Sequence, residues 1–395
     1  MSLAVLSAVA LVATIAGAIA GSGAETEGQG GDRRPAPQRA VDRLSLEQQV
    51  GQLLVLSFSG AKAPDYVIDV LREGRAAGVV LFQSNAGSRR QVRSLTRRLQ
   101  RAAQGRALVA TDQEGGPVRI LSFADPVEGQ AAQATMGEAA AAARNGAADL
   151  DRAGVNVNLA PVADVGVPGG SAVGPRVYPG ESGEVAALVR ASIREHARGG
   201  VAATAKHFPG FGSAQGNTDD EPVAIDAPLE QIMGRDLEPF RAAIAARVPL
   251  IMASHALYPA LDRRRIASQS RSILGDLLRR RLGFRGVIVT DSIEAEAVLA
   301  RSSVETAAVR SVAAGADIVL MTGPGSFDGV RDRLLARARR SPRFRRRVEE
   351  SAERVLVLKD RMGLGSSIRR SPPANVGRGA TRPEASGKED DGGEG

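Results

Sequence analysis

Eight short apolar runs, separated by stretches of helical pattern, constrain this chain more than any other feature of its sequence. They fall at 52–57 (QLLVLS), 77–82 (AGVVLF), 107–112 (ALVATD), 155–160 (VNVNLA), 201–205 (VAATA), 249–254 (PLIMAS), 286–291 (GVIVTD) and 315–320 (GADIVL). Each has the length and apolar content of a strand buried on both faces. The stretches between them, such as Val92 to Ala103, Glu184 to Arg198 and Ile273 to Arg281, are rich in Ala, Arg and Glu at helical period. Alternating strands and helices imply a parallel sheet, because parallel neighbours need a long crossover that a helix supplies. Eight such units within about 320 residues predict a closed (β/α)8 TIM barrel in one domain rather than an open doubly wound sheet.

The flanks differ in composition. Residues 2–20 are uncharged and rich in Ala, Val and Leu, and the small residues Gly21, Ser22, Gly23 and Ala24 follow. That order suits a signal peptide with its cleavage site. The run is also close to the ~20 residues that span a bilayer, so an uncleaved membrane anchor is the second reading. Either reading of residues 1–22 implies an exported chain, extracellular or associated with the cell envelope. Residues 23–42 have the Gly, Pro, Gln and charge content of a disordered linker. Ser45 then caps a helix ahead of Glu47 and Gln48, so the barrel domain is expected to occupy residues 43–364. Its last helix runs from Arg345 to Met362, Gly363 stops it, and 365–395 read as a disordered tail.

Composition excludes several classes of function. The formal charge is +8, but the excess is Arg scattered along the chain, and aromatic residues are only 3%, too few to form stacking platforms for bases. Nucleic acid is therefore not an expected partner. The densest basic run, Arg337 to Arg347, is interrupted by Ser341 and Pro342 and reads as a helix–turn–helix surface, solvated or attracted to an anionic envelope. With no cysteine, a disulfide framework, a thiolate metal site and a cysteine nucleophile are all ruled out. No HExxH, paired-His or Asp-rich metal spacing occurs, so a metal mechanism is not expected, and no phosphate-binding glycine loop opens a helix. A monomer is expected.

In such a barrel the active site lies at the carboxyl ends of the strands. Polar residues cluster there beyond what packing asks. Asn85 follows the second run; Asp112, Gln113 and Glu114 end the third; Asp164 follows the fourth. Lys206 and His207 end the fifth, Ser254 and His255 the sixth, and Asp291 the seventh. The chain has three His and four Lys in all, yet two of the first and one of the second fall on this rim. A carboxylate that ends an apolar strand, as in Val-Thr-Asp291, is held rigidly and partly desolvated, which suits a nucleophile. Lys206, His207 and Asp112 offer hydrogen-bond donors and acceptors for a polar substrate, and His255 is counted with that substrate-binding rim.

Seven segments carry a family resemblance: LSLEQQVGQLLVLSF (44–58), GVVLFQSN (78–85), DQEGGPV (112–118), NLAPVADV (158–165), KHFPGFG (206–212), MASHALYP (252–259) and LGFRGVIVTDSIEA (282–295). In order and content they resemble the N-terminal barrel of glycoside hydrolase family 3, as found in the single-domain bacterial β-N-acetylhexosaminidases (β-N-acetylglucosaminidases). The resemblance spans residues 44–364. It implies retaining hydrolysis of terminal β-linked N-acetylglucosamine from cell-wall-type glycosides, as in peptidoglycan turnover, through a covalent glycosyl-enzyme and without a cofactor. By motif match Asp291 is the nucleophile, and Asp112, Arg176, Lys206 and His207 bind the sugar.

The chain departs from that family in the loop after the fifth run. Relatives read KHFPGHG, a spacer and then Asp-Ser-His, whose His donates the proton. Here Phe211 replaces the second motif His, and Asn217, Thr218 and Asp219 occupy the Asp-Ser-His positions. An Arg that relatives carry two residues after the Val of DQEGGxV is Ile120 here, with Arg119 one place earlier. Three readings stay open. A carboxylic acid, Asp219 first and then Asp220 or Glu221, protonates the leaving group. Alternatively the enzyme is slow and needs a good leaving group, or the barrel is an envelope protein that binds sugar without turning it over. A family 3 glycosidase of other sugar preference is a further alternative, since barrel specificity lives in loops. Gly212 and Gly216 are expected to leave the loop free to close over a sugar.

Overall fold

A computed structural model describes residues 40–167, 172–323 and 325–365. The expected signal or anchor segment, most of the linker and the tail beyond Gly365 lie outside the described residues. Among those described, no helix is long and apolar enough to cross a membrane.

All eight apolar runs become strands of one closed parallel barrel: β1 (Leu54–Leu56), β2 (Gly78–Leu81), β3 (Leu108–Thr111), β4 (Val157–Asn158), β5 (Ala202–Phe208), β6 (Leu250–Ala253), β7 (Val287–Ser292) and β8 (Ile318–Met321). Strands pair in chain order, and β8 closes on β1 with Val319 opposite Leu54.

The runs are apolar without interruption because both faces of every strand are buried, one by the barrel interior and one by the helices. Side chains alternate between the two. Val55, Val80, Leu108, Ala110, Leu250, Met252, Val287, Val289, Ile318 and Leu320 fill the interior. Their neighbours Leu54, Leu56, Val79, Leu81, Val109, Val319 and Met321 pack outward on one set of helices, and Ile251, Ala253 and Ile288 on another. From the last helix, Pro342–Arg361, Val355 and Leu358 join the interior cluster and plug the barrel at its amino end.

Local signals set the helix ends. Ser45 forms a capping box with Gln48 at Leu46–Gly51, and Ser341 accepts from the Phe344 N–H at the start of Pro342–Arg361, three residues before the expected start. Packing begins inside the expected linker, because Val41 is buried and its carbonyl accepts from the Gln49 side chain. Gly365, placed in the expected tail, donates to the Gly105 carbonyl. The segment expected as a helix over 273–281 is wound as a π-helix, Ser272–Arg281, whose end is marked by the bond from the Leu282 N–H to the Leu277 carbonyl.

Candidate active site

Continuing the interior register one step past each strand gives the next inward residue at the carboxyl end. From β2 that is Phe82, from β3 Asp112, and along β5 Lys206. From β6 it is Ser254, within β7 Asp291, and from β8 Thr322. All six line one cavity of about 620 Å3. The alternation that packs the core therefore also aims the chemistry.

Two more residues enter the cavity wall because the ladder slips. Between Ala205 and Phe208 the register of β5 against β6 shifts, and His207 lines the cavity beside Lys206; the peptide joining them is cis. A similar shift between Val289 and Ser292 brings Ser292 to the wall next to Asp291. His255 has no such slip. It follows Ser254 in the outward register, is fully buried, and is not part of the cavity wall. Its Nδ1 lies 2.7 Å from the Ser268 hydroxyl. It stands behind Asp291 and does not take the sugar-facing place expected of it.

A second layer holds these groups. Glu114 is buried; it accepts two bonds from the Arg176 guanidinium, both 2.9 Å, and lies 2.6 Å from Lys206 Nζ. Lys206 Nζ also donates to Asp112 Oδ1 at 2.5 Å. Burial works against the Glu114 charge, but Lys206 and Arg176 outweigh it and hold the carboxyl down at about 2. Burial likewise opposes the Lys206 charge, and Asp112 and Glu114 overcome it to raise the ammonium above its usual range. The pair of cations is thus fixed in charge and direction. His207 is oriented by Asp164, with Nδ1 2.7 Å from Oδ2, and the Asp164 Oδ1 accepts from the backbone N–H of His207 (3.0 Å) and of Phe211 (2.7 Å). The other ring nitrogen, Nε2, lies 4.0 Å from Asp291 Oδ2.

The tight turn of DQEGG makes this second layer reachable. Gly115 and Gly116 both have positive φ (93° and 57°), and a Cβ on Gly115 would stand 2.2 Å from the Glu128 carbonyl oxygen. Arg119, one place before the position where relatives carry Arg, is spent on the Ala124 carbonyl at 2.9 Å, and Ile120 is buried.

The loop after β5 crosses the mouth. Asn217, Thr218 and Asp219 line the cavity, whereas the expected alternates Asp220 and Glu221 do not. Asp220 instead accepts from the Asn217 side-chain amide at 3.1 Å. The loop is latched by two backbone bonds, from the Glu296 N–H to the Asp219 carbonyl (3.2 Å) and from the Ala297 N–H to the Thr218 carbonyl (3.1 Å). Gly212, expected as a hinge, instead serves close approach: a Cβ there would stand 1.8 Å from the Val165 carbonyl oxygen. Phe211 packs edge-on against the His207 ring at 5.8 Å.

Two carboxyls share this cavity with opposite shifts. Burial would raise Asp291, but His207, His255 and Lys206, with the Ser292 N–H, outweigh it and hold the carboxyl below its usual range. Asp219 is exposed at the rim, yet the protein around its carboxyl and then the Asp291 charge push it up to about 6. One group is held toward its ionised form and the other is able to carry a proton over the same mildly acidic range, an arrangement that suits a nucleophile and an acid.

Among the described residues no group of three or more His, Cys, Asp or Glu could hold a metal ion. A larger cavity of about 700 Å3 opens at the opposite end of the barrel, between the starts of β5 and β7 and the last helix. None of the catalytic candidates lines it.

The profile of the Glycosyl hydrolase family 3 N terminal domain matches residues 45–358. A protein of Arthroderma benhamiae called an uncharacterized secreted glycosyl hydrolase is 32% identical over 341 residues, covering 83% of this chain and 96% of its own. A β-hexosaminidase of Xanthomonas oryzae pv. oryzae is 34% identical over 282 residues, 69% of this chain and 84% of its own. Among solved structures, the family 3 β-N-acetylglucosaminidase of Paenibacillus sp. superposes with a TM-score of 0.78 at 32% identity, covering 87% of this chain but 65% of that longer one. The β-N-acetylhexosaminidase of Beutenbergia cavernae gives 0.74 at 31% identity, with 80% and 99% coverage.

Proposed function

The chain belongs to glycosyl hydrolase family 3, and on that footing we propose that it is a retaining β-N-acetylhexosaminidase for terminal β-linked N-acetylglucosamine, with Asp291 as nucleophile and Asp219 as acid/base. The observation that carries this reading is the pair of opposite carboxyl shifts in one cavity. In the first step an Asp291 oxygen bonds to the anomeric carbon as the glycosidic bond breaks, and Asp219 gives its proton to the departing oxygen. In the second, the Asp219 carboxylate takes a proton from water, which displaces Asp291. Asp112, Lys206, Arg176 and His207 supply hydrogen bonds to ring hydroxyls. His255 supports Asp291 from behind.

Cell-wall glycosides as substrates, export through residues 1–22 and a monomeric state belong to the same proposal; the relative called secreted supports export. A second reading, sugar binding without turnover, rests on the absence of any His from the loop at 211–222. One experiment separates them: hydrolysis of a chromogenic β-N-acetylglucosaminide, compared with the glucoside and xyloside, with the anomer of the product followed by NMR. Release of the β-anomer, and labelling of Asp291 by a fluorinated sugar, are expected. Inversion, or a label elsewhere, refutes the mechanism; binding of N-acetylglucosamine with no cleavage establishes the second reading.

A further inference from the structure

The basic run at 337–347 is the expected solvated helix–turn–helix surface, with Arg337, Arg343 and Arg346 exposed, but the surface is concave. It folds into the wall of a separate cavity of about 530 Å3, between the π-helix Ser272–Arg281, the end of the helix Val304–Ala314 and the start of Pro342–Arg361. The floor is Arg279, Arg347 and Arg354, which converge on the buried Asp317 and consume its charge. The rim carries four further guanidiniums, those of Arg271, Arg337, Arg343 and Arg346. None of these four has a carboxylate or carbonyl partner among the described residues. The one acid in the wall, Glu350, pairs with Arg347 at 2.9 Å. Asp276 and Glu349, on the neighbouring turns, are committed to Arg280 and Arg345. Ser341 and Phe344 also line the cavity, so the first turn of the 20-residue helix Pro342–Arg361 opens onto it and adds its positive end.

Like charges gathered on one cavity wall repel, and an anion between them relieves that repulsion. Burial and then the neighbouring Arg354 and Arg347 already press Arg279 down to about 10, despite its bond to Asp317. Guanidinium forks match the paired oxygens of a phosphate and bind it through two bonds each. We infer that this cavity is a binding site for a phosphate group, held by the four rim arginines and the helix start. It lies beside the amino ends of β7 and β8, where Asp317 accepts from the Ile288 N–H, at the end of the barrel opposite Asp291. The inference is independent of the proposed hydrolase activity.

The test titrates the full chain with pyrophosphate by calorimetry at low salt, then with sedimented vesicles of phosphatidylglycerol or phosphatidylcholine. Wild type should take one pyrophosphate, and Arg343→Glu/Arg346→Glu should bind roughly tenfold or more weakly. The neutral pair Arg343→Gln/Arg346→Gln guards against misfolding, with an unchanged unfolding temperature as the check. The control Arg97→Glu/Arg101→Glu makes the same charge change at another exposed arginine patch and should bind as wild type. Capture by phosphatidylglycerol vesicles, displaced by pyrophosphate, identifies a lipid headgroup as the source; pyrophosphate binding without vesicle capture identifies a soluble phosphate. No pyrophosphate binding by wild type, or equal loss in the cavity and control variants, overturns the site.

Discussion

Asp219 and Asp291 face one cavity, and their opposite shifts fix how activity should follow pH. On the proposed mechanism, turnover needs Asp291 ionised and Asp219 protonated. Asp291 is held below its ordinary range, so the acidic limb of kcat/KM should lie below that of a free carboxylate; Asp219 is raised to about 6, so activity should fall as pH rises through about 6. A basic limb near the ordinary histidine value that survives Asp219→Ala would assign the proton to another group. The same variant should cripple poor leaving groups and spare activated aryl glycosides, with azide accelerating the second step. Lys206→Ala removes a charged donor held by both Asp112 and Glu114, and kcat/KM should drop by roughly one to two orders of magnitude, with some loss of stability because buried Glu114 keeps only Arg176. Unchanged kinetics would take Lys206 out of the sugar site. Asp291, Lys206 and Asp112 were legible because each extends an apolar run by one inward step. Glu114 and Asp164 were visible at strand ends, but nothing in a sequence says which buried acid orients which cation. His255 was grouped with the rim by its nearness to Ser254, whereas strand alternation turns it to the outward face.

The loop at 211–222 and the segment at Asp317 show what elements contribute. Gly212 has no room for a methyl group, so Gly212→Ala should displace the loop from Val165, carry Asp219 off the cavity and lower kcat far more than stability. Wild-type kcat in that variant would show that loop placement does not govern the acid. At the other end of the barrel, Asp317 joins β8 to two helices through Arg279, Arg347 and Arg354. Asp317→Ala removes the carboxylate that Arg279 and Arg354 face, leaving Arg347 only the Glu350 carboxylate, and should cost about 3–5 kcal/mol, read by chemical denaturation. The strands themselves were plain from the sequence, since burial on both faces leaves an unbroken apolar signature. The winding of 272–281 was not, because the change from α to π is a shift of backbone hydrogen bonds in a stretch whose side chains suit either helix. Nor was the loop latch, which is made wholly by peptide groups and so leaves no mark on side-chain identity.

For the whole molecule, one buried group sets a pH dependence of stability. Lys359 is buried under the barrel, donates to Gln52 Oε1 at 2.8 Å, and is pressed by burial and then by Arg106 from 10.5 down to about 7. Between those values the unfolded chain holds a proton that the folded chain has released, so stability should rise with pH from about 7 to 10.5. Lys359→Met should flatten that slope and gain most at or below neutrality; an unaltered slope in melting experiments would show that Lys359 does not cause it. The barrel's alternation has a further consequence, for which length changes this lineage can survive. Inserting one residue inside β7 would send Asp291 toward the helices and turn a packing side chain into the cavity, losing core and reaction together. The same insertion beyond a strand's carboxyl end shifts only a loop. Insertions and deletions are therefore confined to the barrel's connections.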